Sequence, residues 1–129
     1  TDDIRCYALD RMENVIISNK VFKMPKDLEP ADYFKDCFGI INNKDSEVRK
    51  VVLKVDAFQS NYIRNLPLHD SQKETKRTDE YSIFEYHLKP EFDFEQEIFS
   101  NMDAMEVLEP LWLREEVKER IKNLASKYL

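Results

Sequence analysis

"VRKVVLKVDAFQSNYIRNL", residues 48–66, carries two periodicities back to back. Its first eight residues, 48–55, are rich in β-branched side chains and read as a strand. From Asp56 onward, Phe58, Tyr62 and Leu66 recur every fourth residue, the spacing of an apolar helix stripe. Asp56 stands where an N-cap accepts a backbone N–H, and Gln59 holds the capping-box partner position three residues later. A strand that runs directly into a helix opens a layered α and β arrangement, and the rest of the chain is read outward from it.

Toward the C-terminus, "SQKETKR" (71–77) and "YSIFEYHLK" (81–89) flank "TDE", the pattern of a hairpin. Phe84, Tyr86 and Leu88 share one face of its second strand. Pro90 opens the next helix, where Phe94, Ile98 and Met102 recur at i, i+4 and i+8. "MEVLE" (105–109) is a short strand, and Pro110 begins a final helix with Leu113, Val117, Ile121, Leu124 and Tyr128 on one stripe. On that helix Glu116 precedes Arg120 by four residues, the favourable order for an ion pair. The order βαββαβ plus a C-terminal helix predicts an α+β fold, a ferredoxin-like split βαβ sandwich over residues 46–129.

Upstream, "DIRCYAL" alternates Ile4, Cys6 and Ala8 with Arg5, Tyr7 and Leu9, and "VIIS" (15–18) is a second β-branched run beyond the turn-forming "DRMEN". Two strands cannot hold together alone in water, so residues 1–19 read as the end of an incomplete sheet whose other strands lie further upstream. Residues 20–45 form a connector. In it Pro30 opens a short helix, "ADYFKDCF", which places Phe34, Cys37 and Phe38 on one side and ends at Gly39 in a left-handed cap.

Composition narrows the function. The chain has 129 residues, 42% hydrophobic and 36% charged, a balance that fits one charged-surface globular domain with an appendage and not a disordered chain. No apolar run nears the ~20 residues that span a bilayer, and Thr1-Asp2-Asp3 is acidic where a secretory signal needs basic residues. With one glycine, Gly39, the chain lacks the glycine-rich loops that cradle phosphates or dinucleotides. Cys6 and Cys37 have no CxxC spacing and stand apart from both histidines, so no metal and no cofactor are expected, and the thiols read as reduced and buried in a cytoplasmic protein. A net charge of −6 opposes wholesale nucleic-acid binding but allows a local basic pocket.

Four groups of side chains carry the chemistry. Arg5, Tyr7 and Arg11 combine guanidinium forks suited to phosphate or carboxylate with an aromatic ring suited to stacking on a base, or else form an ordinary solvated strand face. "LPLHDSQK" (66–73) sets His69, Ser71, Gln72 and Lys73 in the turn after the first helix. No third member or oxyanion donor accompanies a Ser–His pair there, so an enzyme is not expected. Residues 91–109 hold seven Asp or Glu and no Lys or Arg, and the carboxylates splay around a helix as a solvated acidic face. Trp112 lies off the stripe of the last helix, where with Arg114 it suits an interface.

These residues in this order resemble a known family. "IRCYALDRM" (4–12) is similar to the closing strands of a WYL domain, roughly R-x-F/Y-x-L-D-R-I/M, and "YFKDCFGI" (33–40) to the connector that follows. "LPLHDSQK", "EVLEP" and Leu113-Arg114, with a terminal helix ending in Tyr128, resemble the WYL C-terminal extension. The resemblance implies a bacterial transcription regulator with an N-terminal winged helix-turn-helix, a WYL domain built as an Sm-like β-barrel, and the extension. Such sensors bind nucleic acid or nucleotide-type ligands through a basic patch and commonly dimerise. The Trp-Tyr-Leu signature and the helix-turn-helix are expected upstream of Thr1, so promoter DNA would be met only through that missing module. Arg5, Tyr7 and Arg11 match the strand-turn motif, and His69 and Gln72 match the extension.

The function expected on these grounds is an effector-sensing and dimerising C-terminal region. An anionic ligand would meet Arg5, Tyr7 and Arg11, with Arg64, His69, Gln72, Lys73 and Arg77 contributing if the helix-to-hairpin edge faces it, and would act by shifting a population. The alternative is a pure dimerisation or interaction module without a ligand.

Overall fold

The computed structural model describes residues 4–129; Thr1, Asp2 and Asp3, whose acidity argues against a signal peptide, lie outside the described residues. Strand β1 (Arg49–Asp56) buries Val51, Leu53 and Val55 completely, on the face opposite Lys50 and Lys54. It pairs antiparallel with β3 (Tyr81–Leu88) over its whole length and with β4 (Met105–Glu109) on its other side. Strand β2 (Lys73–Arg77) pairs antiparallel with β3, giving a four-stranded sheet in the order β2-β3-β1-β4. The fold is thus α+β with an open antiparallel sheet. β1 and β2, both antiparallel to β3, run in the same direction on either side of it.

Helix α2 (Ala57–Asn65) follows β1 without a linker, because the Asp56 side chain caps it by accepting the Gln59 backbone N–H at 2.7 Å. Helices α3 (Phe92–Ser100) and α4 (Leu111–Tyr128) complete one apolar core. Ile63, Phe94, Ile98, Leu113 and Val117 from the helices meet Val51, Leu53, Val55, Phe84, Tyr86 and Leu88 from the sheet. Upstream, the short helix α1 (Pro30–Phe34) leads to Cys37, which is buried and forms a parallel bridge to Lys89. Phe38 packs edge-on to Phe94, ring centroids 5.6 Å apart.

The structure corrects several expectations. Residues 4–20 form no strand; a short turn at Leu9–Arg11 is their one regular feature. The closing strands of an Sm-like barrel are therefore not formed in this chain: its sheet starts at Arg49 and offers them no partner, and unpaired strands do not persist. Cys6 is exposed on that segment, not buried. Helix α2 is turned away from its expected stripe. Ser60, whose hydroxyl donates to the Val55 carbonyl, and Ile63 face the core, while Phe58, Tyr62 and Leu66 are 71%, 57% and 79% exposed. The Gln59 amide donates to Asn101 at 2.6 Å instead of reaching back to the cap.

Met102 leaves the α3 stripe because the helix ends at Ser100. The Asn101 amide caps the Glu97 carbonyl at 2.7 Å, and Met102 turns out in a left-handed conformation, φ 51°. Gly39 is not a left-handed cap. Its need for glycine is a close approach: a Cβ there would lie 2.6 Å from Asp93 Oδ2. Arg120 does not pair with Glu116 on its own helix but reaches across to Glu95 on α3.

Candidate functional site

The turn from α2 into β2 gathers the polar residues singled out in the sequence, and internal bonds consume most of them. Arg64, on the last turn of α2, forks onto Glu74 of β2 through Nε at 2.9 Å and Nη2 at 2.7 Å. The same guanidinium reaches Asn61, and Ser82 donates to the Glu74 carboxylate at 2.6 Å. A bidentate pair of this kind is strong and directional. The Arg64 hydrogen bonds hold the Glu74 carboxyl down at about 2, and the same contact raises the Arg64 guanidinium above its ordinary value.

Gln72 is a structural clamp. Its amide nitrogen donates to the Ile63 carbonyl at 2.9 Å. Its oxygen accepts both the Leu68 N–H and the hydroxyl of buried Tyr86, whose own ionisation burial pushes up. His69 is likewise engaged at both ring nitrogens. Nδ1 faces the Ser71 hydroxyl at 2.8 Å and accepts the Ser71 N–H, so Nε2 carries the proton and donates to the Lys35 carbonyl at 2.8 Å. His69 thus ties the connector to the domain. The structure gives neither residue a free polar edge for a ligand.

Arg77 differs. With Arg64, Asn61, Thr78, Asp79, Ser82 and Ala57 it lines a hollow of about 190 Å³ at the open end of the hairpin. Two of the expected ligand residues thus share a cavity, although Glu74 already offsets one charge. Lys73 is exposed on the edge strand β2. Arg5, Tyr7 and Arg11 are exposed on the strandless segment, and none of the hollows found among the described residues is lined by them.

At the far end of the chain, Trp112 is half-exposed beside a charged hollow lined by Asp45, Glu47 and Arg49. Arg114 neither covers it nor stays free: it bonds Glu106 at 2.8 Å and the Val107 carbonyl of the edge strand β4. One cluster escaped the sequence reading. Within the acidic stretch, Glu95 is only 6% exposed, and burial first, then Glu116, raise its carboxyl above the ordinary value. Arg120 stands 3.2 Å from it and stacks over Phe92 and Phe99, pinning α4 to α3. Glu95 falls on the Glu91–Phe94–Ile98 side of α3, a signal visible only once the helix phase is known. Among the described residues no group of His, Cys, Asp or Glu is arranged to hold a metal ion, and no helix is long and apolar enough to cross a membrane.

A family model described as the WCX domain matches residues 47–125, from just before β1 into the last turns of α4. No curated protein matches the chain.

Proposed function

The chain belongs to the WCX domain family, the WYL C-terminal extension, and from that premise we propose that it is the self-associating C-terminal region of a WYL-type transcription regulator. In this reading it is cytoplasmic and non-enzymatic, and it presents a DNA-binding module carried upstream in pairs. The sheet order β2-β3-β1-β4, with β1 and β2 running in the same direction around β3, supports a ferredoxin-like split βαβ for the domain.

One observation carries the choice of an interaction module over a pocket. The polar side chains expected to meet a ligand, Arg64, His69 and Gln72, are spent on internal bonds. Large apolar side chains on the helices, Phe58, Tyr62, Leu66 and Leu111 among them, stand open instead. Sedimentation of the chain over a range of concentrations tests this: a dimer that forms reversibly is expected, and a monomer throughout rejects it.

The Arg64–Arg77 hollow favours a second reading, in which a phosphate-bearing nucleotide or nucleic-acid effector also binds the extension. Titration with short oligonucleotides would then show weaker binding for Arg77→Ala, and equal affinity for both proteins removes the hollow from consideration.

A further inference from the structure

We propose that the outer ridge of α2, Phe58, Tyr62 and Leu66, is the surface on which a second copy of this chain docks, helix against antiparallel helix across a two-fold axis. The proposal rests on the self-association reading above and names its surface. The ridge is pre-formed: the Phe58 and Tyr62 rings meet edge to face, centroids 5.3 Å apart. It is also free of charge. Residues 57–68 hold one charged side chain, Arg64, and Glu74 of the same copy engages it. The chain as a whole is 36% charged with a net −6, so two copies repel over most of their surface. A neutral aromatic and aliphatic face lets them meet without opposing like charges, and it has the composition of an interface core.

The competing apolar surfaces suit a second copy less well. On α4, Ile121, Leu124 and Tyr128 are exposed, but from residue 120 onward the helix carries Arg120, Lys122 and Lys127 and no acid. Pairing two such ends would set positive charge against positive charge. Trp112 borders a hollow lined by Asp45, Glu47 and Arg49, which would have to be desolvated. The sheet edges are guarded by the Lys73, Lys76 and Arg77 side chains on β2 and by Arg114 on β4.

A ridge at i, i+4 and i+8 is self-complementary. With Tyr62 on the axis, Phe58 meets the partner's Leu66 and Tyr62 meets its own counterpart. Eight residues of helix span only ~12 Å, so the contact is small and the dimer reversible.

The test uses the full chain carrying Cys6→Ser, because Cys6 is exposed whereas Cys37 is buried. Tyr62→Cys in that background is expected to form a disulfide-linked dimer on mild oxidation, well ahead of Leu124→Cys, a comparably exposed position on α4. Phe58→Ser with Leu66→Ser is expected to weaken the sedimenting dimer by at least about tenfold, with an unchanged thermal melt showing an intact core. If the parent dimerises but the double variant does so equally well, or Leu124→Cys links as fast as Tyr62→Cys, the surface is wrong while self-association stands. If the parent stays monomeric at every concentration, self-association fails and the ridge with it.

Discussion

Glu74 and Glu95 answer acid in opposite directions. Glu74 titrates near 4.5 when free and at about 2 in the fold. Its contribution is complete above the free value and drains away as the pH falls toward about 2. Glu95 is shifted upward by burial, so ionising it costs the fold stability above its raised value, and protonating it relieves that cost. Acid sensitivity below pH ~4.5 should therefore follow Glu74. Thermal melts of Glu74→Gln are expected to start lower near neutrality, by about 2 kcal/mol for the lost charge-assisted bonds, and to fall less steeply in acid than those of the parent. The two thiols also separate at this scale. Burial pushes the Cys37 thiol up, while Cys6 is exposed. A thiol reagent on the native protein is expected to modify Cys6 alone, and Cys37 only after denaturant is added.

At the scale of elements, one residue type has two fates. Phe94 is fully buried in the core and Phe58 is largely exposed on the α2 ridge. Phe94→Ala is expected to cost about 3–5 kcal/mol in denaturant unfolding, and Phe58→Ala under about 0.5 kcal/mol. The sequence showed that α2 exists and where Asp56 caps it, but i, i+4 spacing defines a stripe without saying which way it points. Ser60, too small and polar to mark a core position, faces the sheet because its hydroxyl satisfies the Val55 carbonyl. Strands were easier to place. Phe84, Tyr86 and Leu88 alternate with polar neighbours, and β4 coincides with "MEVLE". The site was half legible. Arg64 and Arg77 do converge, but single-letter patterns could not reveal that Glu74, twelve rungs of chain from nothing obvious in the motif, would claim Arg64 first.

The whole molecule divides between a packed domain and a leading segment that adds nothing to its core. Residues 4–29 are exposed throughout, including Val15, Ile16, Ile17 and Phe22, a β-branched and aromatic run that pairs with no strand of this chain. That is why alternation misled at Arg5–Leu9: period two records what a segment can pair with and is silent on whether the partner is present. Native-state hydrogen exchange is expected to be fast over residues 4–24 and slowest in β1 and β3, which lie at the centre of the sheet. Removing residues 1–28 should leave the melting temperature of the domain within about 1 °C, and a larger loss would show that the leading segment packs on it.

Arg114 makes the last point. By crossing from α4 to the Val107 carbonyl, it occupies one rim of the sheet, while lysines and a register shift disrupt the other. A regulator that gathers in numbers at a promoter risks templated fibre growth wherever a bare strand is on offer. Here both rims act as gatekeepers, so crowding favours contacts that can let go again.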